Sequence, residues 1–138
     1  MCQNYQYLLI VDDHDGVRRL LFEIFSNEGY NIELAASGAE ALRKVRFRIP
    51  ALILLDARMP GMSGLETLHE LKKLIPCVPV ILVTAYTEMN ILREAKNRGL
   101  VKYEMKKPFD LDEVRNLVRT ILAENKVQES LNNQETVS

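Results

Sequence analysis

The sequence predicts an α/β fold in which five parallel strands form one doubly wound sheet with helices on both faces. Short apolar runs alternate with amphipathic helical periods along the chain, and the runs at 51–55 and 80–83 are apolar throughout. Strands that are covered on both faces have such uninterrupted runs, whereas half-exposed strands alternate. Capping residues and glycines also stand where the predicted helices begin and end.

The five predicted strands are short and each precedes a helical period, so strand and helix alternate. They lie at 7–11, 32–35, 51–55, 80–83 and, more weakly, 100–105. In the first and fifth helices the apolar residues recur at i, i+3, i+4, i+7 and i+8. These residues are Val17, Leu20, Leu21, Ile24 and Phe25 in the first helix, and Val114, Leu117, Val118, Ile121 and Leu122 in the fifth.

Helix ends are marked as well. Ser37, Ser63 and Asp110 are each followed three positions later by a glutamate, and Gly29 and Gly99 stand where two helices should stop. A chain of 138 residues suits one domain, which we predict to span residues 1–125. After residue 125 the hydrophobic period fades, so residues 126–138 are predicted to be a polar, disordered tail.

The composition argues against several classes of partner. Net charge is −1 and the basic residues are scattered, so neither nucleic acid nor a membrane is an expected partner. The N-terminal stretch lacks the basic segment of a signal peptide, and its apolar run is too short to span a membrane. We therefore expect a cytoplasmic protein whose two cysteines, Cys2 and Cys77, are reduced thiols.

Polar side chains follow four of the predicted strands. In a parallel sheet, ligands bind outside the carboxyl ends of the strands, at the switch in strand order. We therefore expect three acids, a hydroxyl and an amine to converge on one edge of the sheet. These residues are Asp12 and Asp13 after the first strand, Asp56 after the third, Thr84 after the fourth, and Lys106 and Lys107 after the fifth.

The three carboxylates predict a Mg²⁺ site. They would repel one another strongly unless a hard divalent cation lay between them, and a few carboxylates with waters suit Mg²⁺ better than Ca²⁺. Capping of the first helix explains one acid of the pair Asp12 and Asp13, but not Asp56 at the end of a buried strand. A carboxylate in such a site can be the nucleophile of phosphoryl transfer, with a hydroxyl and an amine binding phosphoryl oxygens.

Four segments together resemble the receiver domain of two-component response regulators, over residues 7–123. They are LLIVDDHDGVRRLL, ALILLDARMPGMSGLETL, VILVTAY and KKPFDLDEV. Among receivers, the sequence is similar to the single-domain phosphorelay intermediates of bacterial sporulation. The resemblance implies Asp56 as phosphoacceptor, Asp12 and Asp13 as metal ligands, Arg58 as a metal ligand through its backbone carbonyl, Thr84 as the switch hydroxyl and Lys107 as the phosphate-pairing amine.

The resemblance also implies a function. We expect a stand-alone, monomeric response regulator that is not an enzyme in its own right. It would take a phosphoryl group from a histidine kinase and relay it to a histidine phosphotransferase, docking through the first helix near Gly16, Val17 and Leu20. The alternative within the family is phosphorylation-dependent binding of an effector protein around Tyr103 and residues 88–98.

Two alternatives from other classes are disfavoured. Phosphatases of the haloacid dehalogenase type carry a second acid two residues after the nucleophile, and here Arg58 stands there. A flavin binder shares the expected flavodoxin-like topology, but it needs a hydroxyl- and glycine-rich phosphate loop after the first strand. The acids in that place would repel an unmetallated phosphate.

The sequence also predicts where the side chains of His14 and of the two adjacent lysines lie. His14 is predicted to be a solvated loop residue, because Mg²⁺ prefers oxygen ligands. Counted from Gly99, Lys107 comes one residue later than the lysine of the resembling family, and Lys106 takes that place. We favour a bulge between Tyr103 and Lys107, which would direct Lys107 into the site and leave Lys106 in solvent.

Overall fold

A computed structural model describes the backbone of residues 7–137 and the side chains of residues 7–125. Strand and helix alternate as predicted. The strands are β1 (Tyr7–Val11), β2 (Asn31–Ala35), β3 (Leu52–Asp56), β4 (Val80–Thr84) and β5 (Tyr103–Lys106), and the helices are α1 (Asp15–Asn27), α2 (Gly38–Phe47), α3 (Gly64–Leu74), α4 (Met89–Asn97) and α5 (Leu111–Val137). A short 3₁₀ turn at Tyr86–Glu88 precedes α4.

The five strands form one parallel sheet in the order β2-β1-β3-β4-β5. This is the flavodoxin-like doubly wound arrangement that the sequence predicts, with its switch in strand order between β1 and β3. The central strands β1, β3 and β4 are buried along their whole length, as their uninterrupted apolar runs indicate. The edge strand β2 alternates between exposed and partly buried residues.

Both faces of the sheet are covered. Leu9, Ile53 and Leu82 belong to one core cluster, to which α2, α3 and α4 contribute Leu42, Leu68 and Leu92. The intervening strand residues, such as Leu8, Ile10 and Leu54, are equally buried but lie outside that cluster, as expected from the alternation of side chains along a strand. Helix α1 contacts β1 and β2 and buries Leu21, Ile24 and Phe25.

Local signals at the helix ends agree with the sequence. The hydroxyl oxygens of Ser37 and Ser63 accept hydrogen bonds from the backbone N–H groups of Glu40 and Glu66, which caps α2 and α3. Gly29, Gly61 and Gly99 have positive φ angles, where a side chain would be strained.

The sheet and the first four helices form one compact unit that ends at Pro108, and α5 forms a second. Helix α5 runs past residue 125, where the predicted tail begins, and the side chains beyond that point lie outside the described residues. The boundary between domain and tail stays a prediction. None of the helices in the described part of the chain combines the length and apolarity that a membrane span needs.

The prediction of reduced thiols concerns two cysteines in different parts of the chain. Cys77 lies in the loop between α3 and β4. Cys2, the other cysteine of the chain, lies outside the described residues.

Candidate functional site

The carboxyl ends of β1 and β3 place two acids side by side. The parallel register pairs Val11 with Leu55, so Asp12, just after β1, lies next to Asp56, the last residue of β3. The Asp12 backbone N–H also donates to the Ala35 carbonyl at 3.1 Å. Both acids are buried, with 4% and 2% of their surface exposed. Two neighbouring carboxylates at such low exposure are costly unless a cation compensates them.

Two further groups join these acids. Asp13 follows Asp12 and is partly buried, and the His14 ring lies beside both. One ligand atom from each of Asp12, Asp13, His14 and Asp56 can be chosen so that all four lie within 4.8 Å of one another. The three acids therefore converge as the sequence predicts, and the structure adds an imidazole.

The amine that reaches this cluster belongs to Lys107. Its Nζ lies 3.2 Å from Asp56 Oδ1 and 3.6 Å from Asp12 Oδ2, whereas Lys106 is exposed. The predicted assignment of the two lysines is thus confirmed, but the predicted bulge is wrong. β5 pairs with β4 without interruption from Tyr103 to Lys106, and Lys107 follows the last strand residue, where its backbone N–H donates to the Thr84 carbonyl at 2.7 Å. The Lys107–Pro108 peptide bond is cis.

The charges of the cluster act on one another. Burial raises the pKa of the Asp56 carboxyl above its ordinary value of 3.8, and the charge of Asp12 raises it further, although the Lys107 ammonium opposes this. Burial alone would lower the pKa of the Lys107 ammonium, but the charges of Asp12 and Asp56 outweigh it and raise that pKa. A carboxylate whose pKa is raised by an acidic neighbour is ready to gain a cation.

Two buried oxygen atoms at this edge have no hydrogen-bond partner. They are Oγ1 of Thr84, a residue with no exposed surface, and Oδ1 of Asp13. A buried polar atom without a partner is rare in folded proteins, since it forfeits its bond to water. A bound ion, a phosphoryl group or water would supply the partners of these atoms at the ends of β1 and β4.

The loop after Asp56 is fixed by a close approach of two backbones. The Gly64 N–H at the start of α3 donates to the Ala57 carbonyl at 3.2 Å, and a Cβ at Gly64 would lie 2.4 Å from that oxygen. Within this loop the Arg58 N–H points to Asp56 Oδ1 at 3.5 Å, and the Arg58 side chain is exposed. The predicted contact of the Arg58 carbonyl with a metal stays a prediction.

Comparison with known proteins identifies the family. A model of the response regulator receiver domain matches residues 8–119. The chain belongs to this family.

The chain is 44% identical to sporulation initiation phosphotransferase F of Bacillus subtilis (strain 168), covering 83% of this chain and 92% of that protein. It is 41% identical to regulatory protein AtoC of Escherichia coli (strain K12), but spans only 25% of that protein's length. A CheY-like response regulator receiver domain protein from Methanospirillum hungatei JF-1 has a similar structure, with a TM-score of 0.84 and 29% identity, covering 91% of this chain and 99% of that one. The predicted resemblance to receivers and to a sporulation phosphorelay protein is confirmed.

This receiver domain can hold a metal. The cluster offers carboxylate oxygens, the ligands that Mg²⁺ prefers, and Asp13 Oδ1 is buried without a hydrogen bond. The donor set therefore fits the divalent cation that the sequence predicts, with Asp12, Asp13 and Asp56 as the residues that would hold it.

The His14 ring is 67% exposed, in agreement with the predicted solvated loop residue, although its Nδ1 also lies 3.2 Å from Asp12 Oδ1 and from Asp13 Oδ1. Sequence reasoning missed one buried acid of this receiver. Glu88, after β4, is buried and accepts a hydrogen bond from the Thr87 hydroxyl. No pattern indicated its burial, because acids at the start of a helix are ordinarily exposed.

Proposed function

We propose that this receiver accepts a phosphoryl group on Asp56 from the phosphohistidine of a kinase, and relays it to a histidine of a phosphotransferase. Two observations carry this proposal: the ion pair between Asp56 and Lys107, and the buried, unpartnered hydroxyl of Thr84 at the end of the adjacent strand β4. A transferred phosphoryl group would bring an acceptor oxygen to the Thr84 hydroxyl, which lacks one, and a further acceptor to the Lys107 ammonium. The similarity to sporulation initiation phosphotransferase F supports the relay.

Each protein group has a role in the proposed transfer. An oxygen of Asp56 attacks phosphorus, an acyl phosphate bond forms, and the phosphorus–nitrogen bond to the donor imidazole breaks. The Lys107 ammonium, which pairs with Asp56 before transfer, can then pair with a phosphoryl oxygen, and Thr84 Oγ1 can donate to another. A Mg²⁺ ion held by Asp12, Asp13 and Asp56, with the Arg58 carbonyl, would offset the charge of the phosphoryl oxygens.

The proposed docking surface is on α1. Gly16 is exposed and Val17 is partly buried near the acids, and Leu20, three positions after Val17 and so on the same face of the helix, is 43% exposed. An exposed apolar face near the acceptor suits a helical partner that must bring a histidine to Asp56. We also propose a cytoplasmic monomer without a nucleic-acid partner, in line with its net charge of −1.

The proposal excludes an independent catalytic activity. The protein would promote only its own phosphorylation and slow dephosphorylation. The residue two positions after Asp56 is Arg58, so the general acid of dehalogenase-type phosphatases is missing. Turnover of phosphate monoesters, or a coloured protein with bound flavin, would contradict this part of the proposal.

A two-step transfer experiment tests the relay. The chain is first incubated with radiolabelled histidine kinases and then with candidate histidine phosphotransferases. We expect label on the wild type but not on Asp56→Asn, loss of labelling with EDTA, and passage of the label to a phosphotransferase. Label that stays on the chain and creates affinity for an effector protein would favour the alternative role. Full labelling of Asp56→Asn would refute Asp56 as the acceptor.

A further inference from the structure

The imidazole of His14 faces the acidic cluster. Its Nδ1 lies 3.2 Å from Asp12 Oδ1 and 3.2 Å from Asp13 Oδ1. The backbone N–H of His14 donates to Asp12 Oδ1 at 2.9 Å, which fixes the start of the side chain beside the acids. The ring itself is 67% exposed, so it stands at the mouth of the site and not within the core.

The contact with Asp12 Oδ1 is a hydrogen bond in this structure, but both distances also match those between neighbouring ligands of one ion. Two neighbouring ligands of an octahedral ion with bonds of ~2.1 Å lie ~3.0 Å apart, and the separation for a tetrahedral ion with bonds of ~2.0 Å is ~3.3 Å. Asp13 Oδ1 makes no hydrogen bond, and its contact with the ring nitrogen has the length of an ion pair, which forms only if the imidazole is protonated. An atom between them would satisfy both.

We propose that His14 is a nitrogen ligand of the metal site, and that it shifts the preference of the site from Mg²⁺ toward transition cations such as Mn²⁺ and Ni²⁺. Imidazole binds Ni²⁺ well and Mn²⁺ more weakly, and it contributes little to Mg²⁺, which prefers oxygen. The inference rests on the metal site of the proposed function. The site would then offer Mn²⁺ and Ni²⁺ three carboxylates, from Asp12, Asp13 and Asp56, and one imidazole, from His14.

Calorimetry of the full chain tests this inference by measuring the dissociation constants of Mg²⁺, Mn²⁺ and Ni²⁺. His14→Gln removes the imidazole and keeps a polar side chain. His69→Gln, on the exposed face of α3, is the matched control. We expect His14→Gln to leave the Mg²⁺ dissociation constant nearly unchanged, to raise that of Mn²⁺ several-fold, and to raise that of Ni²⁺ about tenfold or more. His69→Gln should change none of them.

Pulsed electron paramagnetic resonance of the Mn²⁺ complex supplies an independent readout. A directly bound imidazole gives a ¹⁴N coupling, which we expect in the wild type and His69→Gln and not in His14→Gln. An equal effect of His14→Gln on all three cations, or a wild type without the coupling, would show that the ring is only an ion-pair partner of the carboxylates and would overturn the inference.

The outcomes separate this inference from the proposed function. If Mg²⁺ binds and Asp56 is labelled, but His14→Gln changes the dissociation constants of the three cations equally, the role of His14 fails and the phosphoacceptor proposal stands. If no divalent cation binds the wild type, or if cation removal leaves labelling unchanged, the metal-dependent proposal fails, and the role of His14 fails with it.

Discussion

The ammonium of Lys107 lies 3.2 Å from Oδ1 of Asp56, 51 residues earlier in the chain. The neighbouring residue, Lys106, is paired in register with Thr84 and exposed. Two adjacent lysines therefore have different surroundings, because β5 ends between them. The Lys107 ammonium compensates the charge of buried carboxylates, whereas Lys106 is a surface residue.

Removing the amine at position 107 should slow phosphorylation of Asp56. In Lys107→Ala the buried carboxylates lose their cation and the phosphoryl group loses a partner, so we expect the rate of labelling by a small acyl phosphate to fall by about tenfold or more. Lys106→Ala is the matched control and should label at the wild-type rate. Equal losses in the two variants would contradict the assignment that the contact with Asp56 supports.

The raised pKa of Asp56 predicts how the metal-free protein responds to pH. Because this pKa lies above its ordinary value of 3.8, the folded state holds the proton more tightly than the unfolded state. Stability therefore falls as the pH rises from about that ordinary value through the raised pKa, and the loss is complete above it. Ionised Asp56 is thus a cost to the metal-free fold at neutral pH.

Asp56→Asn should accordingly stabilise the protein in EDTA. We expect a gain on the order of 1 kcal/mol in the free energy of unfolding at pH 7, measured by urea denaturation. The gain should shrink as the pH falls through the raised pKa, because the wild-type carboxyl then gains a proton. Added Mg²⁺ should reduce the difference by stabilising the wild type more. A variant that is less stable than the wild type at pH 7 and equal to it at pH 4 would contradict this prediction, because ionised Asp56 would then stabilise the metal-free fold.

The sequence predicted most of the fold because buried parallel strands and capped helices leave plain local signals. The runs around Leu54 and Ile81 and the caps at Ser37 and Ser63 are of this kind. The acids converge because parallel strands end at one edge of the sheet, which topology alone dictates.

What the sequence could not predict depends on contacts between distant segments. The register of β5 on β4 decides that no bulge precedes Lys107, and a one-residue offset gives no local signal. The exposed ring of His14 also lies 3.2 Å from two carboxylate oxygens, and the sequence of the loop gives no signal of that contact. The unpartnered hydroxyl of Thr84 is likewise a property of its neighbours.

Thr84 and Thr67 form a natural pair for a stability test. Both are buried without exposed surface, but the Thr67 hydroxyl donates to the Ser63 carbonyl at 2.8 Å and that of Thr84 has no partner. Thr84→Val should therefore keep or raise the stability of the unphosphorylated protein, whereas Thr67→Val should lower it by about 1 kcal/mol. Thermal unfolding in EDTA measures both.

The same Thr84 variant should fail in function. Phosphorylated Thr84→Val lacks the donor to a phosphoryl oxygen, so we expect slower labelling of Asp56 and weaker transfer to a phosphotransferase. A Thr84→Val protein that is destabilised as much as Thr67→Val would show that the hydroxyl has a partner before phosphorylation. Wild-type transfer by this variant would remove Thr84 from the proposed site.

The lifetime of the phosphorylated protein should depend on Arg58 and Tyr86. These residues stand two positions after Asp56 and two after Thr84, and both are exposed, Tyr86 to 90%. Neither is an acid or an amide that could orient an attacking water as a general base would, and both are large enough to obstruct its path. Slow hydrolysis follows, and it suits an intermediate that must hold its phosphoryl group until a partner arrives.

We expect the double variant Arg58→Asn, Tyr86→Ala to lose its label several-fold faster or more. The control is Phe47→Ala, which removes an equally exposed aromatic at the end of α2 and should leave the rate unchanged. Unchanged hydrolysis in the double variant would show that these two side chains do not protect the acyl phosphate.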